Sequence, residues 1–241
     1  LLIGEYNMAL PKLNNPTYEM VVPSTQEKVT YRPFLVKEQK ILMMAQESED
    51  PAMMTRTVCE LIESCVDGIQ NAMNLPTFDV EYMFLQLRSV SVGSDVELMM
   101  LCQDDKKTQV PVKINIGDIK VSSLGEHNET VMITDKIGMT FRYPNMKDVS
   151  KYAKNGISNV EITFGVIQDC LVNIFDENNV YDEMNPKELQ EFVESMTTDQ
   201  FAEVQGFFDT MPKLRHEIEY ENPNTKVMNK TVLEGMQSFL V

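Results

Sequence analysis

The side chains in this sequence that could do chemistry are two histidines, four cysteines and many carboxylates. His127 lies in a polar stretch and His216 begins a predicted strand, and neither has a Cys or carboxylate at metal-ligand spacing. The chain has no G-x-S-x-G, no phosphate-binding loop and no G-x-G-x-x-G. We therefore expect both histidines to be structural or exposed. We expect no enzymatic activity and no catalytic, metal-binding or cofactor-binding residue.

The four cysteines are too few for a disulfide framework, which favours a reducing compartment. Cys59 and Cys65 lie six residues apart in a helical pattern, so they point about 240° apart around the helix. They are poorly placed to share a metal ion. Their segment, V-C-E-L-I-E-S-C, predicts ordinary helix packing.

Carboxylates are so abundant that composition alone does not exclude a glycosidase-like acid pair, although nothing singles out two of them. Residues 176–188, D-E-N-N-V-Y-D-E-M-N-P-K-E, superficially resemble a calcium loop. They lack the Gly at position six and the alternating order of ligands that such a loop requires. We interpret this segment as an acidic loop between helices that ends in a helix cap.

The charge of the chain is strongly negative and unevenly distributed. There are 21 Lys and Arg against 37 Asp and Glu, a formal net charge of −16. This balance argues against nucleic acid or an anionic membrane surface as a partner, because both require a basic face. Between residues 165 and 225, 14 acidic residues face only Lys187, Lys213 and Arg215, a local net charge of 3 − 14 = −11. This region is either a solvated helical face or a docking surface for a basic partner.

Methionine is unusually frequent, with 18 residues. The pairs at 43–44, 53–54 and 99–100 have helical or strand spacing, so we expect most of them to fill the core. Met also lines adaptable binding surfaces, which would suit a protein that escorts a partner.

The longest apolar run is far shorter than the ~18 residues that a membrane span needs. Residues 1–7, L-L-I-G-E-Y-N, lack a basic region and an apolar core of signal-peptide length, so we expect no signal peptide. The first methionine is Met8, and the origin of the seven residues before it is left open.

Hairpins and helices occur in blocks, which predicts an α+β fold with an N-terminal β-hairpin plus helices, a small antiparallel β region in the middle, and a helical C-terminal half closed by a hairpin and a terminal helix. No internal repeat is visible. We divide the chain into an N-terminal hairpin and helices (8–93), a small antiparallel β subdomain (94–144) and a mainly helical region with a C-terminal hairpin (145–241).

The individual elements follow from local signals. Hairpins are predicted at 17–34, 95–114 and 216–232, and strands at 118–122, 130–134 and 138–143 are expected to extend the second hairpin into one sheet. Pro111 indicates an edge strand or a bulge. Helices are predicted at these positions: 36–48, from Pro51 with Asp50 as N-cap, from Val80 to Gly93, 146–153 capped by Asn145, a strongly apolar buried helix at 160–175, from Pro186 with Asn185 as N-cap, 198–210, and 233–240.

Three blocks of sequence resemble the baseplate hub assembly proteins of T-even-type, contractile-tailed bacteriophages. They are V-P-S-T-Q-E-K-V-T-Y-R-P-F-L-V-K-E-Q-K-I-L-M-M-A (22–45), F-D-V-E-Y-M-F-L-Q-L-R-S-V-S-V-G (78–93), and M-P-K-L-R-H-E-I-E-Y with L-E-G-M-Q-S-F-L (211–240). The strings Y-R-P-F-L-V-K-E and L-R-S-x-S-V-G are unusual. Together the blocks span nearly the whole chain.

One departure from this family concerns metal binding. The resemblance implies, for some relatives, cysteine pairs in two hairpin turns in the style of a zinc ribbon. Here the first turn has Cys102 followed by Gln103, Asp104 and Asp105, and the last has Asn222, Pro223 and Asn224. A single thiol cannot make a closed tetrahedral site, so we expect no zinc.

The resemblance implies a non-enzymatic role in building the baseplate hub, through contacts with other baseplate or tail proteins. It locates the protein in the host cytoplasm during assembly and leaves open whether it stays in the virion tail baseplate. We expect the N-terminal hairpin and helices to form one packing unit and the acidic C-terminal half to meet a partner. The alternatives are an assembly chaperone or binding module unrelated to tails, and a tail-associated cell-wall hydrolase.

Overall fold

Helices and small antiparallel sheets make up the chain, which confirms the predicted α+β class. The computed structural model describes residues 13–123, 125–152 and 157–239, so the expectation about residues 1–7 lies outside the described residues. The α-helices of this part of the chain are α1 (Val36–Glu47), α2 (Pro51–Cys65), α3 (Thr77–Ser91), α4 (Met146–Tyr152), α5 (Asn159–Cys170), α6 (Pro186–Glu194) and α7 (Thr198–Thr210). The strands are β1 (Tyr18–Val21), β2 (Lys28–Tyr31), β3 (Asp95–Leu101), β4 (Gln109–Asn115), β5 (Lys120–Ser122), β6 (Thr130–Met132), β7 (Gly138–Phe141), β8 (Leu171–Phe175), β9 (Val180–Tyr181), β10 (Lys213–Glu221) and β11 (Met228–Glu234).

Helix starts follow the predicted caps. The Asp50 side chain accepts a hydrogen bond from the backbone amide of Ala52 at 2.9 Å, and Asn145 and Asn185 cap α4 and α6 in the same way. These side chains satisfy backbone donors that have no partner within the helix, which is why each helix begins where it does.

The predicted apolar helix at 160–175 is wrong in its second part and in its burial. Helix α5 ends at Cys170 and Leu171 begins strand β8, which pairs antiparallel with β7. Residues 171–175, L-V-N-I-F, are rich in β-branched and aromatic side chains, which suit a strand. Only Ile167 and Cys170 of α5 are buried, because one side of the helix remains partly open to solvent.

The predicted terminal helix is also shorter than expected. Strand β11 continues to Glu234, and a short 3₁₀ helix follows at Met236–Phe239. Gly235, at φ +72°, makes the break between the two, a backbone conformation that favours glycine.

The single sheet expected in the middle of the chain is wrong, although the region is antiparallel β as predicted. Strands β3 and β4 form a sheet of their own, β5 joins the C-terminal hairpin in the order β11-β10-β5, and β6 to β9 form a four-stranded sheet in sequence order. Local patterns identified β3 to β7 correctly, whereas β8 was predicted as helix and β9 as loop. The pairing of β5 with β10, where Val121 opposes Leu214, joins segments too far apart for local patterns to reveal.

Three clusters of buried apolar side chains organise the fold. The first cluster combines residues 20–87 with Met146 and Met236, and its buried residues come mainly from the N-terminal hairpin, α2 and α3. The second cluster packs residues 85–119 against 214–239. The third cluster lies within residues 131–207. The division at 93 and 144 stays a prediction, and the second cluster joins segments from both sides of it.

The structure contains an internal repeat that the sequence does not reveal. The backbone amide of Arg32, just after β2, donates to the carbonyl of Cys65 at the end of α2, at 3.0 Å. The amide of Arg142, just after β7, donates to the carbonyl of Cys170 at the end of α5, at 2.8 Å. Each arginine therefore ties a hairpin to the end of the second helix that follows it.

The side chains repeat the same pattern. Arg32 binds Glu38 at 2.9 Å, and Arg142 binds Asp148, also six residues on, at 2.7 Å. Each carboxylate accepts from the backbone amide three residues before it, at 2.8 Å in both cases. The guanidinium of Arg32 also donates to the carbonyl of Ser64 at 3.0 Å, and that of Arg142 donates to the carbonyl of Asp169 at 2.6 Å. Ser64 and Asp169 immediately precede the two cysteines. Two charge-assisted arrangements of the same design thus position α1 and α4.

Each half of the repeat runs in the order hairpin, two helices, extended segment, helix, hairpin. The first half uses β1–β2, α1, α2, α3 and β3–β4, and the second uses β6–β7, α4, α5, β8, α7 and β10–β11. The halves differ between the second and third helix. Residues 66–76 span this interval in the first half, whereas residues 171–197 span it in the second. The extra length contains β9 and α6, so residues 176–194, called the acidic segment below, have no counterpart in the first half.

Candidate interaction surface

The two histidines are partly buried and lie in different parts of the fold. The ring of His127 lies against Tyr143 and Phe207, with centroids 5.5 and 5.0 Å apart, and its Nδ1 is 3.0 Å from the hydroxyl of Thr210. Burial lowers the pKa of His127. His216 lies on β10 opposite Leu233. Neither histidine contacts a cysteine or carboxylate side chain within hydrogen-bond distance among the described residues.

All four cysteines are free and buried. Burial raises the pKa of Cys59 and Cys170 to about 12 and also raises the pKa of Cys65 and Cys102. A thiol that stays protonated at neutral pH is a poor nucleophile and a poor metal ligand. Cys59 and Cys65 contribute to the first cluster, as their helical pattern predicted.

The two hairpin turns that the sequence singled out lie against each other. The carboxylate of Asp104 accepts hydrogen bonds from the side-chain amides of Asn222 and Asn229, both at 3.1 Å, and from the hydroxyl of Thr225. In return, Asn229 Oδ1 accepts from the amide of Gln103 at 2.8 Å. We call Asp104, Asn222, Thr225 and Asn229 the hairpin clasp. These donors hold the pKa of Asp104 below its usual range, so the carboxylate is ionised at neutral pH.

The two turns of the clasp have the same backbone geometry. The amide of Lys106 donates to the carbonyl of Cys102 at 3.0 Å, and that of Lys226 donates to the carbonyl of Asn222 at 2.8 Å. Both lysines have left-handed backbones, at φ 54° and 64°. The sequence aligned these turns but did not reveal the role of Asn229, which lies in β11 and not in the turn.

One cavity brings two carboxylates together. It has a volume of 240 Å³ and is lined by Glu81 of α3 and by Glu234 at the end of β11. Burial, with a further contribution from Glu234, raises the pKa of Glu81 to about 7. Glu234 itself lies 3.1 Å from Lys213 in an ion pair. Nothing in the spacing of these residues could have identified them, since 153 residues separate the two acids.

The segment that superficially resembled a calcium loop contains a turn held by one carboxylate. Asp176 Oδ1 accepts from the amides of Asn178 and Asn179 at 2.7 and 2.8 Å, and its Oδ2 accepts from the Tyr181 hydroxyl at 2.9 Å. Within the described residues, no group of three or more His, Cys, Asp or Glu side chains is arranged to hold a metal ion.

The negative charge predicted for residues 165–225 is largely uncompensated. Of the 14 acidic residues, six have a basic partner and 14 − 6 = 8 have none among the described residues. All eight lie between residues 176 and 209, around the third cluster, and seven are exposed. They are Asp176, Asp182, Glu183, Glu188, Glu194, Asp199, Glu203 and Asp209. This arrangement produces a concentrated negative field on one part of the molecule.

Several methionines expected in the core are at the surface. Met43, Met44 and Met99 each expose more than half of their area, and Met53 is also exposed. Met54 and Met100 are partly buried against the first and second clusters. The core interpretation is therefore wrong for four of the six paired methionines, and these four are available for contacts.

Among the described residues, no helix has both the length and the apolar character needed to cross a membrane. The observed features define a class: an acidic α+β protein whose candidate site is an exposed, negatively charged surface. The family model described as "T4 bacteriophage base plate protein" matches residues 15–241, and the chain belongs to this family. This match confirms the resemblance at the level of a T4-type phage baseplate protein.

Membership indicates a structural role in the tail baseplate, contact with other baseplate or tail proteins, and a location in the virion tail. Searches of curated proteins and of solved structures found no significant match.

Proposed function

We propose that this protein is a non-enzymatic component or assembly factor of the baseplate hub and that it acts through protein–protein contacts. The observation that carries this proposal is the family match together with the uncompensated acidic face of residues 176–209. Opposite charge on a partner would accelerate encounter and fix orientation, which suits ordered assembly. The raised pKa values of the four thiols support a role without nucleophilic catalysis.

Quantitative mass spectrometry of purified virions beside infected-cell lysate tests the proposal. A fixed small copy number per tail would make the protein a structural component of the hub. Abundance in lysate with absence from virions would make it an assembly factor that leaves. Absence from both would contradict the proposal.

The acidic face is tested by charge reversal within residues 182–194. We expect Asp182→Lys, Glu183→Lys and Glu188→Lys together to weaken capture of the baseplate partner at low salt and to change it little at high salt, where charges are screened. A matched variant reverses Glu47, Glu60 and Glu97, which are exposed acids on α1, α2 and β3. Equal binding of wild type and variant at both salt concentrations would show that the acidic face is only a solvated surface.

A tail-associated cell-wall hydrolase is a second candidate because one cavity holds Glu81 and Glu234. A carboxyl group with a pKa near 7 is suited to act as a general acid. Against this function, Glu234 is engaged by Lys213, and the 240 Å³ cavity is small for a glycan strand. We expect no clearing of cell walls by the purified protein. Clearing that disappears in Glu81→Gln would establish the hydrolase instead.

A further inference from the structure

An apolar groove lies between the β8–β9 turn and helix α6. Its volume is 340 Å³, and its apolar lining includes Ile137, Phe175, Tyr181, Met184, Leu189 and Phe192. Leu189 is buried, whereas Tyr181 leaves 47% of its area exposed. The groove therefore has a closed floor and an open aromatic wall, which is the form of a site that receives a side chain from outside.

The walls of the groove are held in place before any partner arrives. Asp176 fixes the β8–β9 turn and accepts a hydrogen bond from the hydroxyl of Tyr181 at 2.9 Å. Asn185 caps α6 by accepting from the amide of Lys187 at 3.0 Å. A preformed site loses less conformational entropy on binding than one that must be ordered.

The groove is built by the acidic segment, which is the extra length in the second half of the repeat. Apart from Ile137 and Ile174–Phe175, the residues that line it belong to residues 176–194. The first half spans the same interval with residues 66–76 and completes its helices and hairpins without such an insertion. Residues 176–194 are therefore an addition to the repeated pattern of elements, and Leu189 and Val193 of this segment also pack in the third cluster.

The charge around the groove specifies its occupant. Asp182 and Glu183 immediately precede Met184, and Glu188 lines the groove itself. None of these three acids has a basic partner among the described residues. An apolar floor surrounded by unpaired carboxylates matches a segment that presents apolar side chains between Lys or Arg residues.

We propose that this groove binds a basic, amphipathic segment of another baseplate protein, a proposal that rests on the function proposed above. A second copy of this chain is a poor occupant. The chain carries a net charge of −16, so self-association through the acidic segment would bring like charges together.

The probe is a fluorescent 14-residue peptide that alternates Leu with Lys, measured by fluorescence polarisation against the full chain. Two control peptides separate the contributions: one replaces Leu by Ser and the other replaces Lys by Glu. We expect each control to bind at least tenfold more weakly than the probe. Equal binding of the Ser peptide would overturn the proposal, because the surface would then attract any polycation.

Protein variants locate the binding. Met184→Ser is expected to weaken binding of the probe about tenfold. Met99→Ser, at an exposed methionine of β3, should leave binding unchanged. The double variant Glu183→Lys/Glu188→Lys should weaken binding of the probe about tenfold at low salt. The double variant Glu47→Lys/Glu60→Lys makes the same change in net charge and should change binding less than threefold. Equal losses in both members of either pair would place binding outside the groove and overturn the proposal.

A competition experiment tests whether the groove binds a segment of another baseplate protein. Peptides of 20 residues tiled through the other baseplate proteins of the same phage are expected to include at least one that displaces the probe and combines Lys or Arg with apolar residues. If none displaces it, or if light scattering shows a dimer that Met184→Ser abolishes, the proposed occupant is wrong. These results are independent of the virion mass spectrometry, so the groove and the hub function can fail separately.

Discussion

The side-chain amide of Asn222 lies 3.1 Å from each of the two carboxylate oxygens of Asp104, although 118 residues separate them in the chain. This contact joins the turn of the β3–β4 hairpin to the turn of the β10–β11 hairpin. The two hairpins occupy equivalent places at the ends of the two halves of the repeat, so the hairpin clasp links the halves to each other.

Removing the central carboxylate should loosen this link. Asp104→Ala leaves the amides of Asn222 and Asn229 without their shared acceptor, and we expect the Tm to fall by roughly 2–6 °C for a chain of this size. Thermal unfolding followed by circular dichroism measures the effect, with exposed Asp118→Ala as the control. Because the folded-state pKa of Asp104 is lowered, its contribution is present above the unfolded pKa and is lost as pH falls through the folded value. A Tm difference that grows as the pH falls below the ordinary pKa of an aspartate would contradict this account.

Substitution of Asp79, in the first turn of α3, should destabilise the protein more than substitution of Asp104. It is fully buried and accepts hydrogen bonds from the amide of Ser24, at 2.9 Å, and from its hydroxyl. Asp79→Ala leaves both donors without an acceptor and should cost about 2–3 kcal/mol of unfolding free energy.

Asp79→Asn is the matched control, because an amide can accept from the Ser24 amide and donate to the hydroxyl. We expect it to cost less than about 1 kcal/mol. Urea denaturation gives both values. Equal losses for the Ala and Asn variants would mean that the charge of Asp79, and not its hydrogen bonds, matters.

Glu81 should make stability depend on pH near neutrality. Its pKa in the folded protein is about 7, above the ordinary value of 4.5. For a raised pKa, the stabilisation is complete below the unfolded value and is lost as pH rises through the folded value. We therefore expect Glu81→Gln to raise the unfolding free energy by on the order of 1–2 kcal/mol at pH 8 and to have little effect at pH 5. A Glu81→Gln effect that is the same at both pH values would refute this prediction.

Two helical glycines should respond in opposite ways to alanine. A Cβ at Gly165 of α5 would lie 2.2 Å from the hydroxyl of Tyr152, whereas one at Gly206 of α7 would have no neighbour within 4 Å. Gly165→Ala should destabilise the protein by about 1–3 kcal/mol through overpacking. Gly206→Ala should stabilise it by about 0.5–1 kcal/mol, since Ala is the better helix former. Urea denaturation of both variants is the measurement, and stabilisation by both would show that α4 and α5 are not in close contact.

The elements that local signals control could be predicted from the sequence. Asp50-Pro51 and Asn185-Pro186 start helices where expected, and the N-terminal hairpin and the two turns around Lys106 and Lys226 have the expected positions. The error at residues 171–175 has a physical reason. A run of apolar residues fits a buried helix and a strand equally well, and pairing with β7 decides between them.

Only the acidic composition of the candidate site could be predicted from the sequence. The count of acids between residues 165 and 225 revealed the charge, but the groove depends on how Tyr181, Met184 and Phe192 come together, which no spacing encodes. The repeat was hard to see because few positions carry it. Arg32, Lys37 and Glu38 correspond in type and spacing to Arg142, Lys147 and Asp148, whereas the residues between them differ.

The second cluster has a consequence for the order in which the chain acquires its structure during synthesis. The third cluster draws its residues from 131–208, so all of its residues are synthesised before residues 214–239. The β3–β4 hairpin emerges earlier but packs against residues 214–239. At a synthesis rate of about 5–20 residues per second, the apolar face of this hairpin stays uncovered for roughly 5–20 s before those residues are made. During this interval the nascent chain exposes an apolar surface that the finished protein covers.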